Sequence, residues 1–462
     1  MENMFFNVKE FGAIGNGENY DTPSINNAIK HCYEVGGGVV LFPAGKYLIS
    51  PIKLFSNVTL YLSSGAIIIA STNIEDYFLS HMSKESPRIG LIYAQDSENI
   101  SILGNGTIDL KGMHFMNERE LHIGQDFDKN CTFQKDKYLE FNGSIEDGPV
   151  KPLDRPGNLV QFLRCKNVNL KDFTLLDAPN WAVHFDECED VNVSNLKIKN
   201  NKLIPNSDGI HITMSKNIKI SDSYIESGDD CIAITGEGIN IGKNNLKTEN
   251  VVVSNCILSS RSSAIRVGHS DGTNIENCLF NNISIFESNR GIGIFQRDKG
   301  YIKNIIFSNL KIETRLHTGH WWGHGEPIHI SSVPRSNQLG TIENVSFSNI
   351  MAKSETGILI YGCQSSPINN LNFDQINIEV VPSRLSERYG GNFDLRPVKD
   401  LTKAIFAHDE YGLYCQYTNG LVINKFNLIF SESLGEYFKK GVYLENIHNF
   451  EVSQMKVNKS NI

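Results

Sequence analysis

Asn206-Ser207-Asp208-Gly209-Ile210-His211-Ile212, then Asn217-Ile218-Lys219-Ile220, then Gly228-Asp229-Asp230-Cys231-Ile232-Ala233-Ile234: an apolar-x-apolar triplet, an Asn-led alternating segment, and the triplet again. Alternation with period two marks strands, and the flanking residues of each triplet point one way while the middle one points the other. Superimposing the two triplets puts Asp208 and Asp230 at the same place, three residues before the middle position. In neighbouring parallel strands their backbones lie about 5 Å apart, with Asp229 beside them. Carboxylates packed so closely raise the pKa of at least one of them, as general acid/base chemistry requires.

The same unit recurs along the chain. Asn-led copies begin at Asn167, Asn217, Asn250, Asn304, Asn344 and Asn370, and weaker ones at Asn57, Asn99, Asp190, Asn277, Gly420 and Asn449. Spacings in the twenties to thirties are those of a solenoid, whose units must stack to bury an apolar face. The fold expected is therefore all-β, a parallel β-helix in one domain, with turn Asn residues forming ladders. Near the start, Asp21 is placed to cap a helix carrying Ile25, Ala28, Ile29 and Cys32 on one face, which would cover the open end of the stack.

A second column of triplets precedes the Asn-led copies, and their middle residues are expected to face outward on one sheet. That face carries Gln161, His184, His211, Arg266 and His329, while the column three positions earlier includes Trp181, Asp208, Asp230, Arg290 and Glu326. Such a strip of polar, aromatic and charged groups suits a sugar groove. Three segments interrupt the repeat, at about 111–156, 313–327 and 381–410, and are expected to wall it. Trp321 and Trp322, adjacent in a polar loop, suit stacking on a sugar face. His317, His320 and His324 do not have the spacing of a metal site, and no cofactor is expected.

A formal charge of −9 in 462 residues argues against nucleic acid and anionic membranes, and no apolar run approaches the roughly 20 residues of a membrane span. Nine cysteines without CxxC spacing read as reduced, buried thiols. The first residues lack a basic segment followed by an apolar core, so a cytoplasmic protein acting on short imported fragments is expected.

On Phe11-Gly12-Ala13-Ile14-Gly15-Asn16-Gly17, Pro179-Asn180-Trp181, Asn206-Ser207-Asp208-Gly209 and Gly228-Asp229-Asp230, the chain resembles the polygalacturonase family, family 28 of the glycoside hydrolases. The last two are similar to that family's Asn-Thr-Asp-Gly and Gly-Asp-Asp. The resemblance implies a right-handed, pectin-lyase-like parallel β-helix and hydrolysis with inversion. Asp229 would be the general acid, with Asp208 and Asp230 holding and deprotonating the attacking water. His211, Arg266, Arg290, His184, Trp321, Trp322 and Glu326 are the candidate substrate-binding residues. Two motifs depart from the family. Ser262-Ser263-Ala264 stands where Gly-His-Gly is expected, and Gly293-Ile294-Phe295 where the carboxylate-gripping Arg-Ile-Lys is expected. Either Arg266 and Arg290 form a different clamp for a galacturonate carboxylate, or the sugar at the cleavage point is neutral. A carbohydrate-binding β-helix without catalysis is the more distant alternative, and a β-eliminating lyase is disfavoured by the three clustered aspartates. Insertions at one end of the groove point to exo action on pectin-derived oligosaccharides.

Overall fold

The computed structural model describes residues 5–82, 86–140, 145–236, 247–269, 274–335 and 339–459. In the middle of the chain each coil contributes three short strands, as in Ile210–Thr213, Lys216–Ser221 and Tyr224–Ser227, and from Asn274 on neighbouring ones run together into longer strands such as Asn274–Ser288. Each strand pairs in parallel with its equivalents one coil before and one coil after, so Ile210 lies between Val183 and Ile232. Repetition of this step makes a right-handed parallel β-helix, the hand that the twist of L-residue strands favours in parallel crossovers. The apolar members of each triplet and each Asn-led segment point inward and stack on their counterparts. The rings of Phe280, Phe307, Phe347 and Phe373 form one such column, with centroids 4.5, 5.1 and 5.1 Å apart. Full burial of each such side chain contributes about 1.5–3 kcal/mol, and the core cluster runs from Val8 to Phe438.

The asparagines do two things at once. Asn99, Asn167, Asn217, Asn250, Asn277, Asn304, Asn344 and Asn370 all have φ between 53° and 57°, the left-handed region that Asn tolerates better than most residues. Their side chains also bond from coil to coil. Asn250 donates to Asn217 at 3.1 Å, Asn304 to Asn277 at 3.1 Å, and Asn344 to Asn304 at 3.1 Å.

The N-terminal helix, Thr22–Glu34, buries Ile25, Ala28, Ile29 and Cys32 against the first coils. Asp21 does occupy its N-cap position, but its side chain makes no capping bond. The carboxylate instead accepts from the amides of Ile14 at 2.6 Å and Gly15 at 3.1 Å. It fixes the Gly-rich turn ahead of the helix, whose amides have no strand partner, rather than the helix itself. No helix among the described residues is long and apolar enough to cross a membrane.

The three insertions meet over one face of the coil. Tyr138 from the first, Leu316 from the second, and Leu385, Tyr389 and Ile405 from the third make a separate apolar cluster. Polar ties join them further: Asp147 accepts from the Thr318 amide at 3.0 Å, and Asn392 donates to Gln134 at 2.7 Å. This roof changes the expectation for the triplet face. Its middle residues do point away from the apolar core, but Gln161, His184, His211 and His329 are buried rather than exposed.

Candidate active site

Under that roof lies a cavity of about 390 Å³ lined by Asp208, Asp229 and Asp230 together with His211, Arg266 and Arg290. The ladder puts Asp208 directly beside Asp230, because the Gly209 amide donates to the Asp230 carbonyl at 2.9 Å and the Ala182 amide to that of Asp208 at 2.9 Å. Glycine at 209 is required by this closeness, since a Cβ there would stand 2.5 Å from the Cys231 carbonyl oxygen.

The three carboxylates have different surroundings. Asp208 accepts from or shares a proton with His211 Nδ1 at 2.9 Å, and His211 Nε2 is 3.1 Å from the Thr235 hydroxyl. Burial first, then Asp229 and Asp230, push the Asp208 carboxyl well above its ordinary range. Burial also holds His211 neutral, with the Arg266 charge acting in the same direction. Asp229 is raised to about 7 by burial and by Asp230. Asp230 has the cation: Arg266 Nε lies 2.5 Å from one oxygen, and the other accepts from the Ser263 amide at 3.0 Å. The cluster thus contains a group protonated near neutrality beside a carboxylate in an ion pair, the division of labour that acid/base hydrolysis uses.

Of the candidate binding residues, the structure brings His211, Arg266, Arg290 and Trp322 to the cavity. Arg290 is nearly fully buried, its guanidinium 5.0 Å from the Phe295 ring centroid. Its bonds to Ser263 and Glu326 are long, at 3.4 Å each, and its Nε has no hydrogen-bond partner. Glu326, His184 and Trp321 do not line this cavity. Glu326 sits behind Arg290 and bonds His329 Nδ1 at 3.1 Å. Burial would raise its carboxyl, yet Arg290 and His329 bring it down to about 2. His184 lies one coil back, between Asn158 and Thr213 at 3.0 Å each. Trp321 donates its indole N–H to the Asp147 carbonyl at 3.2 Å and lines a neighbouring cavity shared with Trp322. The three loop histidines have separate partners: His317 faces Asp147, His320 accepts from the Gly124 amide, and His324 stacks on Tyr138.

Sequence reasoning missed His269, Arg335 and Arg396 as cavity residues. Trp181, expected on the strip, does line the cavity, and its ring stacks on His211 at 3.5 Å. Phe295, which stands where the family's lysine is expected, also lines the cavity. Arg396 belongs to the third insertion, where no repeat fixes a side chain's position.

The sequence profile of a family described as glycosyl hydrolases family 28 matches residues 32–387. A probable polygalacturonase of Vitis vinifera is 25% identical over 396 residues, covering 80% of this chain and 73% of that protein. An exo-poly-alpha-D-galacturonosidase of Dickeya chrysanthemi is 27% identical over 311 residues, covering 62% of this chain and 51% of its own. Among solved structures, the fold is shared with a family 28 exopolygalacturonase of Yersinia enterocolitica, at a TM-score of 0.65 and 18% identity over 99% of this chain and 78% of that one. It is also shared with an exopolygalacturonase of Thermotoga maritima, at 0.60 and 20% over 82% and 92%. With a profile match over most of its length and the two aspartate motifs facing one cavity, the chain belongs to family 28 of the glycosyl hydrolases, as a polygalacturonase-like glycoside hydrolase.

Proposed function

We propose that this hydrolase cleaves α-glycosidic bonds in pectin-derived, galacturonate-containing oligosaccharides by an inverting acid/base mechanism, working from a chain end. The observation that carries the reading is Asp229, held protonated to about 7 beside two further carboxylates in an arginine-lined cavity. Asp229 gives its proton to the leaving glycosidic oxygen. Asp230, paired with Arg266, takes a proton from the water, and Asp208, fixed by His211, orients it; the water attacks from the face opposite the leaving group. Arg290, which lines the cavity and makes only long bonds, at 3.4 Å, to Ser263 and Glu326, receives the uronate carboxylate in place of the absent Arg-Ile-Lys pair.

Exo action is supported by a wall that two segments of the chain put between the cavity and its neighbour. Arg335, Arg396 and Pro397 line the active cavity, whereas Pro334, Leu395 and Val398, from the same two segments, line a separate cavity of about 630 Å³.

The test is product analysis with pectin-derived oligosaccharides, using wild type and Asp229→Asn and reading the anomer first formed by proton NMR. Wild type alone should release short products of inverted configuration. Retention would remove the inverting mechanism, internal cleavage of long polymer would remove exo action, and glycan binding without any product would favour the non-catalytic alternative.

A further inference from the structure

One arginine of the first insertion spans two turns at once. Arg155 Nη1 donates to the carbonyls of Pro179 and Pro205, at 2.8 Å each, and Nη2 donates to Asn206 Oδ1 at 2.8 Å. Neither proline belongs to a strand, so the ladder that fixes the rest of each coil leaves these carbonyls to the guanidinium. Both turns lead into the cavity wall. Trp181 and Asp208 each stand two residues before a strand, Val183–Asp186 and Ile210–Thr213, and those strands are paired from their first residues. Pro179 comes two positions before Trp181, and Pro205 three before Asp208. The second turn also reaches the proposed acid, because Ser207 Oγ accepts from the Gly228 amide at 3.0 Å, next to Asp229. The Trp181 ring that stacks on His211 and two of the three carboxylates are thus tied back to one side chain.

The same group is a charge near the cluster. Its three bonds go to neutral oxygens, which leaves its positive charge to act beyond them. Burial draws its pKa down to about 10, while Asp229 and Asp208 act to keep it protonated. Asp229 in turn faces Asp230, Asp208 and Arg266, and bonds the Ser262 side chain. Arg155 adds its cation from the insertion rather than from the coils that supply Arg266 and Arg290.

We propose that Arg155 is a positioning residue of the reaction: its planar fork holds the turns that present Trp181 and Asp208, and its charge acts on Asp229. The kinetic part rests on the hydrolase reading above. A lysine here would carry the charge but, as a point cation on a flexible stem, could not reproduce the three bonds of a rigid fork.

The experiment compares wild type, Arg155→Lys and Arg155→Met on pectin-derived oligosaccharides across the pH–rate profile, at a temperature where circular dichroism shows all three folded. Both variants should lose about tenfold or more in kcat/KM, the scale of a small misplacement of reacting groups. Arg155→Met alone should also move the alkaline limb upward by roughly half a unit or more, because removing a positive charge favours the protonated carboxyl. A purely structural tie would lower the unfolding midpoints and leave both kcat/KM of the folded variants and the limb unchanged, which overturns the proposal. A limb that moves alike in both variants overturns the role of the charge. A second measurement needs no substrate: NMR titration of isotope-labelled aspartate, with Asp229→Asn marking the signal, should show the Asp229 midpoint raised in Arg155→Met alone. An unmoved midpoint overturns that role too. A wild type that forms no product sinks the hydrolase reading by itself, and the titration still decides whether Arg155 acts on Asp229.

Discussion

The ring of Phe295 lies across Gly293, with its Cζ only 2.5 Å from where a Cβ at 293 would stand, and the same ring supports the Arg290 guanidinium at 5.0 Å. The two departures from the family's Arg-Ile-Lys are thus one change. Removing the first side chain makes room for an aromatic ring, and the ring carries the cation of Arg290, three residues before Gly293. Gly293→Ala should force Phe295 and Arg290 to shift, costing about 1–3 kcal/mol of stability as overpacking does and lowering kcat/KM. Adding Phe295→Leu should relieve the stability cost without restoring activity, and urea unfolding of the single and double variants checks both effects.

Asp229→Asn should lower kcat by about 10²–10⁴, the usual share of general acid catalysis. It should also remove the alkaline limb of the pH–rate profile, expected near 7 in the wild type because the proposed acid has to be protonated.

The same substitution should change stability with the opposite sign. The folded protein holds on Asp229 a proton that the unfolded chain gives up from 3.8 upward, with the folded value at about 7. The penalty is therefore absent below about pH 4, grows as pH rises through that window, and is complete above 7. Asp229→Asn should accordingly be the more stable protein at pH 8, by about 1–4 kcal/mol, and no more stable at pH 4. Thermal unfolding across pH 4–8 measures this, with a residual slope left by Asp208, whose carboxyl is also raised by burial.

Arg396→Ala should be destabilising by about 3–5 kcal/mol, because it leaves the Asp394 carboxylate buried and uncompensated; that carboxylate is 1% exposed and bonded to Arg396 through both oxygens. The accompanying loss of the guanidinium 4.6 Å from the Trp322 ring should alter tryptophan fluorescence in the folded state. An unchanged unfolding midpoint would remove Arg396 from its place as the tie between the insertions.

In the ladder, Asn304→Ala should cost about 1–3 kcal/mol, combining left-handed backbone at φ 57° with two lost side-chain bonds. Asn304→Gly keeps the backbone conformation and loses only the bonds, so its unfolding midpoint should fall between those of wild type and the alanine variant.

Much of this was legible because the repeat is a ruler. Once the triplets of Ile210 and Ile232 are set side by side, the pairing of Asp208 with Asp230 follows, and the register found is the one expected. The Asn positions were legible for the same reason, since residue type and backbone conformation are locally coupled. The insertions follow no such ruler. That His184 and His329 are buried, that Glu326 lies behind Arg290, and that Arg396 borders the cavity all depend on contacts between segments far apart in sequence, such as Arg396 with Trp321 and Asp126. Asp21 is an intermediate case: its position was right and its partner was not, because the competing acceptor-seeking amides of Ile14 and Gly15 belong to a turn whose path no periodicity sets.

The asparagine column also separates two kinds of distance that most folds confuse. Successive rungs are 33, 27, 27, 40 and 26 residues apart from Asn217 to Asn370, yet each advances the structure along its axis by one strand spacing, about 4.8 Å. A side chain's address is therefore its storey, not its place in the chain. Loops can lengthen, shorten or exchange their chemistry on any storey while Asp208 and Asp230 stay one floor apart, so such a scaffold can reshape the cavity around its clustered carboxylates without moving them.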